Sequence, residues 1–410
     1  RLGSQLPTPG VNPDYIKNFF AQNTGDAFNF FNAFTGGSFE QMSVFALSIT
    51  PYITSSIIIQ LLTIAIPQLE EMQKDGEDGR KKLTKITRYL TVVLALIESI
   101  AMSVGFGRQG LLKEYNFVNA AIVVLTLTAG SAFLMWAGEQ ITEKGVGNGI
   151  SIVLVINILS RVPNDMTTLY SQFVKGKSIA KGGLAAVIIL AIILALVVFT
   201  TLLQDAERRI AVQYSQKVTG RRTYGGQTTH IPLKVNTAGV IPIIFASSLM
   251  QFPIVIASLA GKGNGNGIGS QILKGMNQGN WLNPDQIQYS WGLVVYIILT
   301  VFFAYFYTSI TFNPLEIANN MKKSGGFIPG IRPGKPTVEY LTKRLNYIIF
   351  IGACGLVIVQ VIPIFFNGWL GAKVSFGGTS LIIIVSVVLE TLKQIESQLL
   401  VRNYKGFLNS

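Results

Sequence analysis

Six stretches of this chain run without a single Asp, Glu, Lys or Arg for long enough to cross a bilayer: 41–69, 115–138, 182–204, 235–261, 286–315 and 345–372. A helix needs ~20 apolar residues to span the hydrocarbon core. Three weaker stretches are expected to span as well: 89–106, interrupted by Glu98; 145–160, continuing past Arg161; and 374–389, continuing past Glu390. A membrane β-barrel would read as segments of about ten residues with alternating polarity. These runs are longer and continuous, so their backbone N–H and C=O groups must pair within helices. Composition agrees, with 49% of the 410 residues hydrophobic and 13% charged, against about a quarter charged in soluble domains. The expected class is therefore an all-α, polytopic membrane protein.

The loops set an orientation. Strongly basic connections lie at 74–88 (Arg80, Lys81, Lys82, Lys85), 208–234 (Arg209, Lys217, Arg221, Arg222) and 322–344 (Lys323, Arg332, Lys335, Lys343). Basic loops stay on the cytoplasmic side, and an even number of spans separates each pair, so the three assignments agree. The tail carrying Arg402 and Lys405 then also lies in the cytoplasm, while Lys175, Lys177 and Lys181 fall on the outer side against the rule. In such a chain the net charge of +13 reports topology rather than nucleic-acid binding. The start, Arg1-Leu2-Gly3, has neither an initiator Met nor a signal peptide, so an upstream segment is expected to be missing.

Enzyme chemistry finds little to build on. Cys354 is the only cysteine and lies in an apolar run, which leaves no intrachain disulfide and no Cys-based metal or redox site. His230 is the only histidine and has no Cys or carboxylate companions at metal-ligand spacing, so it reads as structural. The spans carry no paired carboxylates and no nucleophile with a base. The expectation is no enzyme, no metal and no cofactor.

Two loops are longer than connectors. The stretch 205–235 alternates Arg209, Ile210, Ala211, Val212 and Gln213 before a turn-rich tip at 219–226, which predicts a short hairpin. The stretch 313–346 places Arg332 in a tip dense in Pro and Gly. Long structured loops are where partners bind. Ahead of the first run, 27–42 contains Phe28, Phe30, Phe31, Phe34 and then Gly36 and Gly37. It is too short and polar to span, and on its residues alone it reads as an interfacial aromatic anchor.

A family resemblance rests on SITPYITSSIIIQLL at 48–62, GEQITE at 138–143, GVGNGIS at 145–151, THIPLKVN at 229–236, PGIRPG at 329–334 and GGTSL at 377–381. These motifs, in this order, resemble the SecY family of protein-conducting channels. The resemblance implies ten transmembrane helices in two inverted five-helix halves, with the first helix largely missing here. The halves would be 1–172 (end of helix one, plug at 27–42, helices two to five) and 173–410 (helices six to ten and both long loops). Inverted repeats place their pathway at the interface between them.

Further site roles follow only from the resemblance. Phe28, Phe31 and Phe34 would belong to a plug helix, with Gly36 and Gly37 as its flexible joint. Ile49, Ile53, Leu154, Ile244 and Ile383 would form a ring that holds back ions by dewetting. Thr54, Ser55, Gln60, Ser247 and Ser248 would hydrogen-bond across a lateral gate, although Ser and Thr bond their own helix at least as readily. Arg221, Arg222 and Arg332 would dock a SecA motor ATPase or a ribosome. The implied function is translocation of unfolded secretory polypeptides across the bacterial cytoplasmic membrane, with lateral release of membrane helices. SecE-like and SecG-like small subunits, signal-sequence-bearing substrates and lipids are the other implied partners. The rival reading is an ion-coupled secondary transporter of inverted-repeat type, for which Glu98 is the one ionisable group near mid-span.

Overall fold

A computed structural model describes residues 2–12, 35–175, 179–214, 217–219, 222–224, 228–259, 267–370 and 378–408. Helices stand at all nine expected positions. A single turn, α1 (Leu2–Gln5), is followed by α2 (Thr50–Ala65), α3 (Pro67–Lys74), α4 (Glu77–Phe106), α5 (Phe117–Lys144), α6 (Gly149–Leu169) and α7 (Ile179–Asp205). Beyond a strand-rich loop come α8 (Ile241–Leu259), α9 (Ile268–Met276), α10 (Trp291–Thr311), α11 (Pro314–Lys323), α12 (Lys335–Leu370) and α13 (Gly378–Leu408).

By length and composition, six described helices can cross a membrane, or seven if α2 and α3 count as one bent span. The run at 41–69 is not one straight span. Proline disfavours helical backbone in the residue before it; Ile66, before Pro67, is extended (φ −114°, ψ 111°), and the chain bends there by 108°. Residues 41–49 are turns apart from Ser43, which forms an isolated antiparallel bridge with Pro7. The second half of α6 carries Arg161, Pro163, Asn164 and Asp165, which dilutes its apolar length.

Helix α4 packs on α2 and α5, and α5 on α6. Likewise α8 packs on α10, α10 on α12, α12 on α13, and α13 on α7. The two sets touch where α6 meets α13 and where α4 meets α8. Lipid offers no hydrophobic drive for helix association, so small residues that let backbones approach carry the contacts. The motif 138–151 is built on this rule. Asn148 caps α6 by accepting from the N–H groups of Ile150 and Ser151, and Thr142 accepts from Gly149 N at 2.8 Å. A Cβ on Gly149 would overlap the Gly138 carbonyl, so glycine at both positions permits the tight α5–α6 turn. Arg88 Nε donates to Glu139 Oε1 at 2.7 Å and ties α4 to α5.

The long loops depart from the all-helical pattern. Strand β1 (Glu207–Tyr214) leads through a tip hairpin, β2 (Lys217–Thr219) with β3 (Arg222–Tyr224), into β4 (Thr228–Lys234). β1 and β4 are antiparallel, with Ile210 opposite Ile231, as the alternating pattern predicts. Strand β5 (Gly326–Phe327), from the second long loop, pairs with the other edge of β1 at Gln213 and Tyr214, giving the order β4-β1-β5.

Candidate functional site

The GVGNGIS turn launches α6 so that Leu154, Val155 and Ile158 share a face, Leu154 and Ile158 being one turn apart. These side chains pack with Ile383 of α13 in one buried aliphatic cluster. Ile53 of α2, Val240 just before α8, and Ile384 and Val387 of α13 close around it. Four remote stretches of sequence thus deliver aliphatic groups to one point. Of the expected ring, Ile53, Leu154 and Ile383 are brought together directly. Ile49 is buried one turn ahead of Ile53, whose N–H donates to its carbonyl at 3.1 Å. Ile244 is half-buried one turn beyond Val240, to whose carbonyl its N–H donates at 3.2 Å.

On the side of this cluster away from the sheet, 35–49 leads into α2. Phe28, Phe31 and Phe34 lie outside the described residues. Gly36 and Gly37 are described and take left-handed backbone (φ 65° and 85°). The segment 35–42 consists of turns, and Met42 is left-handed as well (φ 43°). The segment packs against the far end of α6: a Cβ on Gly36 would come within 3.1 Å of the Asn157 backbone, and Glu40 lies 3.7 Å from Arg161.

The expected gate residues differ in their partners. Thr54 Oγ1 donates to the Thr50 carbonyl at 3.1 Å and Ser55 Oγ to the Pro51 carbonyl at 2.7 Å, both within α2. Ser247 Oγ shares a 3.1 Å hydrogen bond with Tyr296 Oη, joining α8 to α10. Gln60 and Ser248 are exposed. Hydroxyls in apolar helices reach the carbonyl one turn back more easily than a partner helix.

At the sheet end, Arg332 is exposed on a tip bounded by Gly330 (φ 80°) and Gly334 (φ 108°), and its carbonyl accepts from Thr337 Oγ1 at 2.9 Å. Arg222 lies in β3 opposite Thr219. Arg221 lies outside the described residues. Beneath the tips, Ile210, Val212 and Leu233 of the hairpin share a buried core with Met321, Ile328 and Leu341. The two long loops therefore form one unit.

The SecY family profile matches residues 43–392. The chain belongs to the SecY family. The chain is 44% identical to the protein translocase subunit SecY of Corynebacterium glutamicum, covering 100% of this chain and 94% of the relative. It is 42% identical to that of Pseudomonas aeruginosa, covering 100% and 90%. Among solved structures it resembles one described as a protein conducting channel (TM-score 0.61, 17% identity, 90% of this chain and 84% of that one). It also resembles Sec61 in a canine ribosome-channel complex (TM-score 0.58, 17% identity, covering 90% and 84%). At these identities the structural likeness concerns the fold.

Within this SecY-family fold, sequence reasoning missed Val240, Val155, Ile158 and Val387 as members of the cluster. Helical periodicity offered a signal: Val240 precedes Ile244, Ile158 follows Leu154 and Val387 follows Ile383 by one turn each, on the same face. Nothing in the sequence announced that β5 would join the two loops, because a two-residue strand has no periodicity to detect.

Proposed function

We propose that this SecY-family chain is the protein-conducting channel of a translocase in the bacterial cytoplasmic membrane, passing unfolded secretory polypeptides between its halves. The aliphatic cluster of Ile53, Leu154, Val240 and Ile383 carries the reading. A dry collar of this kind excludes hydrated ions by dewetting, yet its dispersion contacts are individually weak, so a threading chain can displace them. The collar draws on both packed sets of helices. Parting α4 from α8 would open it sideways toward lipid and release an apolar segment. In this reading 1–172 and 173–410 are the halves, Ile49 and Ile244 complete the collar as the chain passes, and the segment carrying Gly36 and Gly37 covers its outer mouth.

The sheet unit faces the cytoplasm. Arg221, Arg222 and Arg332 offer guanidinium forks suited to carboxylates of a SecA-type motor or to ribosomal phosphates. SecE-like and SecG-like subunits cover part of the exposed apolar belt, and lipid covers the rest. The test is reconstitution: vesicles holding the complex should import a signal-bearing precursor only with motor ATPase and ATP. Ile53→Gly should make resting vesicles leak small ions, and Arg332→Glu should stop motor-driven import while the folded protein level holds. Import driven by a solute gradient alone would defeat the proposal.

A further inference from the structure

We propose that Asn157 and Ser131 are positioning residues that hold the collar shut through Ser48; the inference rests on the collar reading above. Ser48 is buried and left-handed (φ 51°), a conformation costly for a residue with a Cβ. It directly precedes Ile49, and Ile53 follows one turn later. Two helices hold Ser48 in place. Asn157 Nδ2 of α6 donates to Ser48 Oγ at 2.9 Å, and Ser131 Oγ of α5 donates to the Ser48 carbonyl at 3.0 Å. Nearby, a Cβ on Gly130 would overlap the Val44 carbonyl, so α5 admits the strand of chain closely.

The same face of α6 serves both sites. Asn157 is adjacent to Ile158 and one turn from Leu154 and Arg161, so one rigid helix carries collar members and the clasp on the segment entering α2. The segment is left-handed at Met42 and Ser48, and neither position has glycine's freedom. Strain of this kind persists only where the surroundings over-determine it, and it favours departure once the hydrogen bonds break. The clasp therefore sets how readily Ile49 and Ile53 leave the collar when the helices part.

The test is resting ion conductance of the whole complex in vesicles, with Ile53→Gly as the collar reference. Asn157→Ala and Ser48→Ala should each raise conductance about fivefold, as expected for one hydrogen bond lost from the closed state. The double variant should leak no more than the leakier single one. Exchanging the partners, Ser48→Asn with Asn157→Ser, should restore conductance to within about twofold of the parent, since Asn tolerates left-handed backbone and returns the bond. Tight single variants beside a leaky Ile53→Gly would overturn the clasp and leave the collar standing. Leaks that multiply in the double variant, or an exchange that fails to rescue, would also overturn it. A tight Ile53→Gly would overturn the collar and the clasp together.

Discussion

At the scale of single residues, glycine and hydroxyl side chains decide more of this molecule than its abundant Leu and Ile. Trp281 illustrates the point at the end of the bundle away from the sheet. It is fully buried, its Nε1 donates to the Gly275 carbonyl at 2.7 Å, and its ring lies 5.4 Å from that of Tyr296. A Cβ on Gly292 would overlap the indole, and one on Gly368 the Trp281 carbonyl, so two spanning helices leave room for this anchor. The α5–α6 turn gives a sharper test. Gly149→Ala places a methyl on the Gly138 carbonyl, and overpacking of this kind costs about 1–3 kcal/mol. Thermal unfolding of the detergent-solubilised complex should show a lower Tm; an unchanged Tm would mean the turn can relax. By contrast the Asp205–Lys393 ion pair is exposed on both sides, and such pairs contribute at most about 1 kcal/mol.

At the scale of elements, the informative unit is the sheet that joins two loops separated by more than one spanning helix. β1 pairs with β4 along its length and with β5 at its end, and the shared apolar core beneath them includes Ile328 and Leu341. Docking at Arg332 would therefore be felt by the hairpin that carries Arg222. Ile328→Ala should remove part of that core, at about 2–5 kcal/mol for a buried aliphatic truncated to Ala. The spans would remain intact, so the expected signature is faster limited proteolysis within 205–235 and 313–346 together. Cleavage confined to one loop would mean the two are independent. The other instructive element is the α2–α3 corner, where Pro67 forces Ile66 out of helix and breaks the apolar run into a 16-residue helix plus an amphipathic piece.

At the scale of the whole molecule, two sets of helices meet at α6–α13 and at α4–α8, with the aliphatic cluster at the first meeting. A pathway that opens by parting these sets needs one contact to give way. A cysteine pair bridging α4 and α8, introduced with Cys354→Ser, should block precursor import when oxidised and restore it when reduced. Import that continues through the oxidised complex would exclude opening on that side.

The membrane class, the helix positions and the β1–β4 hairpin were legible in the chain because each depends on local physics. Charge-free length and period-two alternation act over a few neighbours. Leu154 and Ile383 could be read only as apolar helix positions, since an aliphatic side chain carries no mark of whether it meets lipid, a neighbouring helix or a closing collar. The motif resemblance pointed to them, and folding set them beside Val240, which that comparison had passed over. Thr54 bonds to the carbonyl one turn back for a related reason: a hydroxyl chooses its partner by distance, and helix packing alone sets that distance. The sequence by itself determined that this chain must live in a bilayer as helices, because its backbone has no other way to satisfy its hydrogen bonds there. Only the tertiary structure decided which side chains from remote stretches meet, because contacts between segments more than a hundred residues apart depend on how every intervening helix packs.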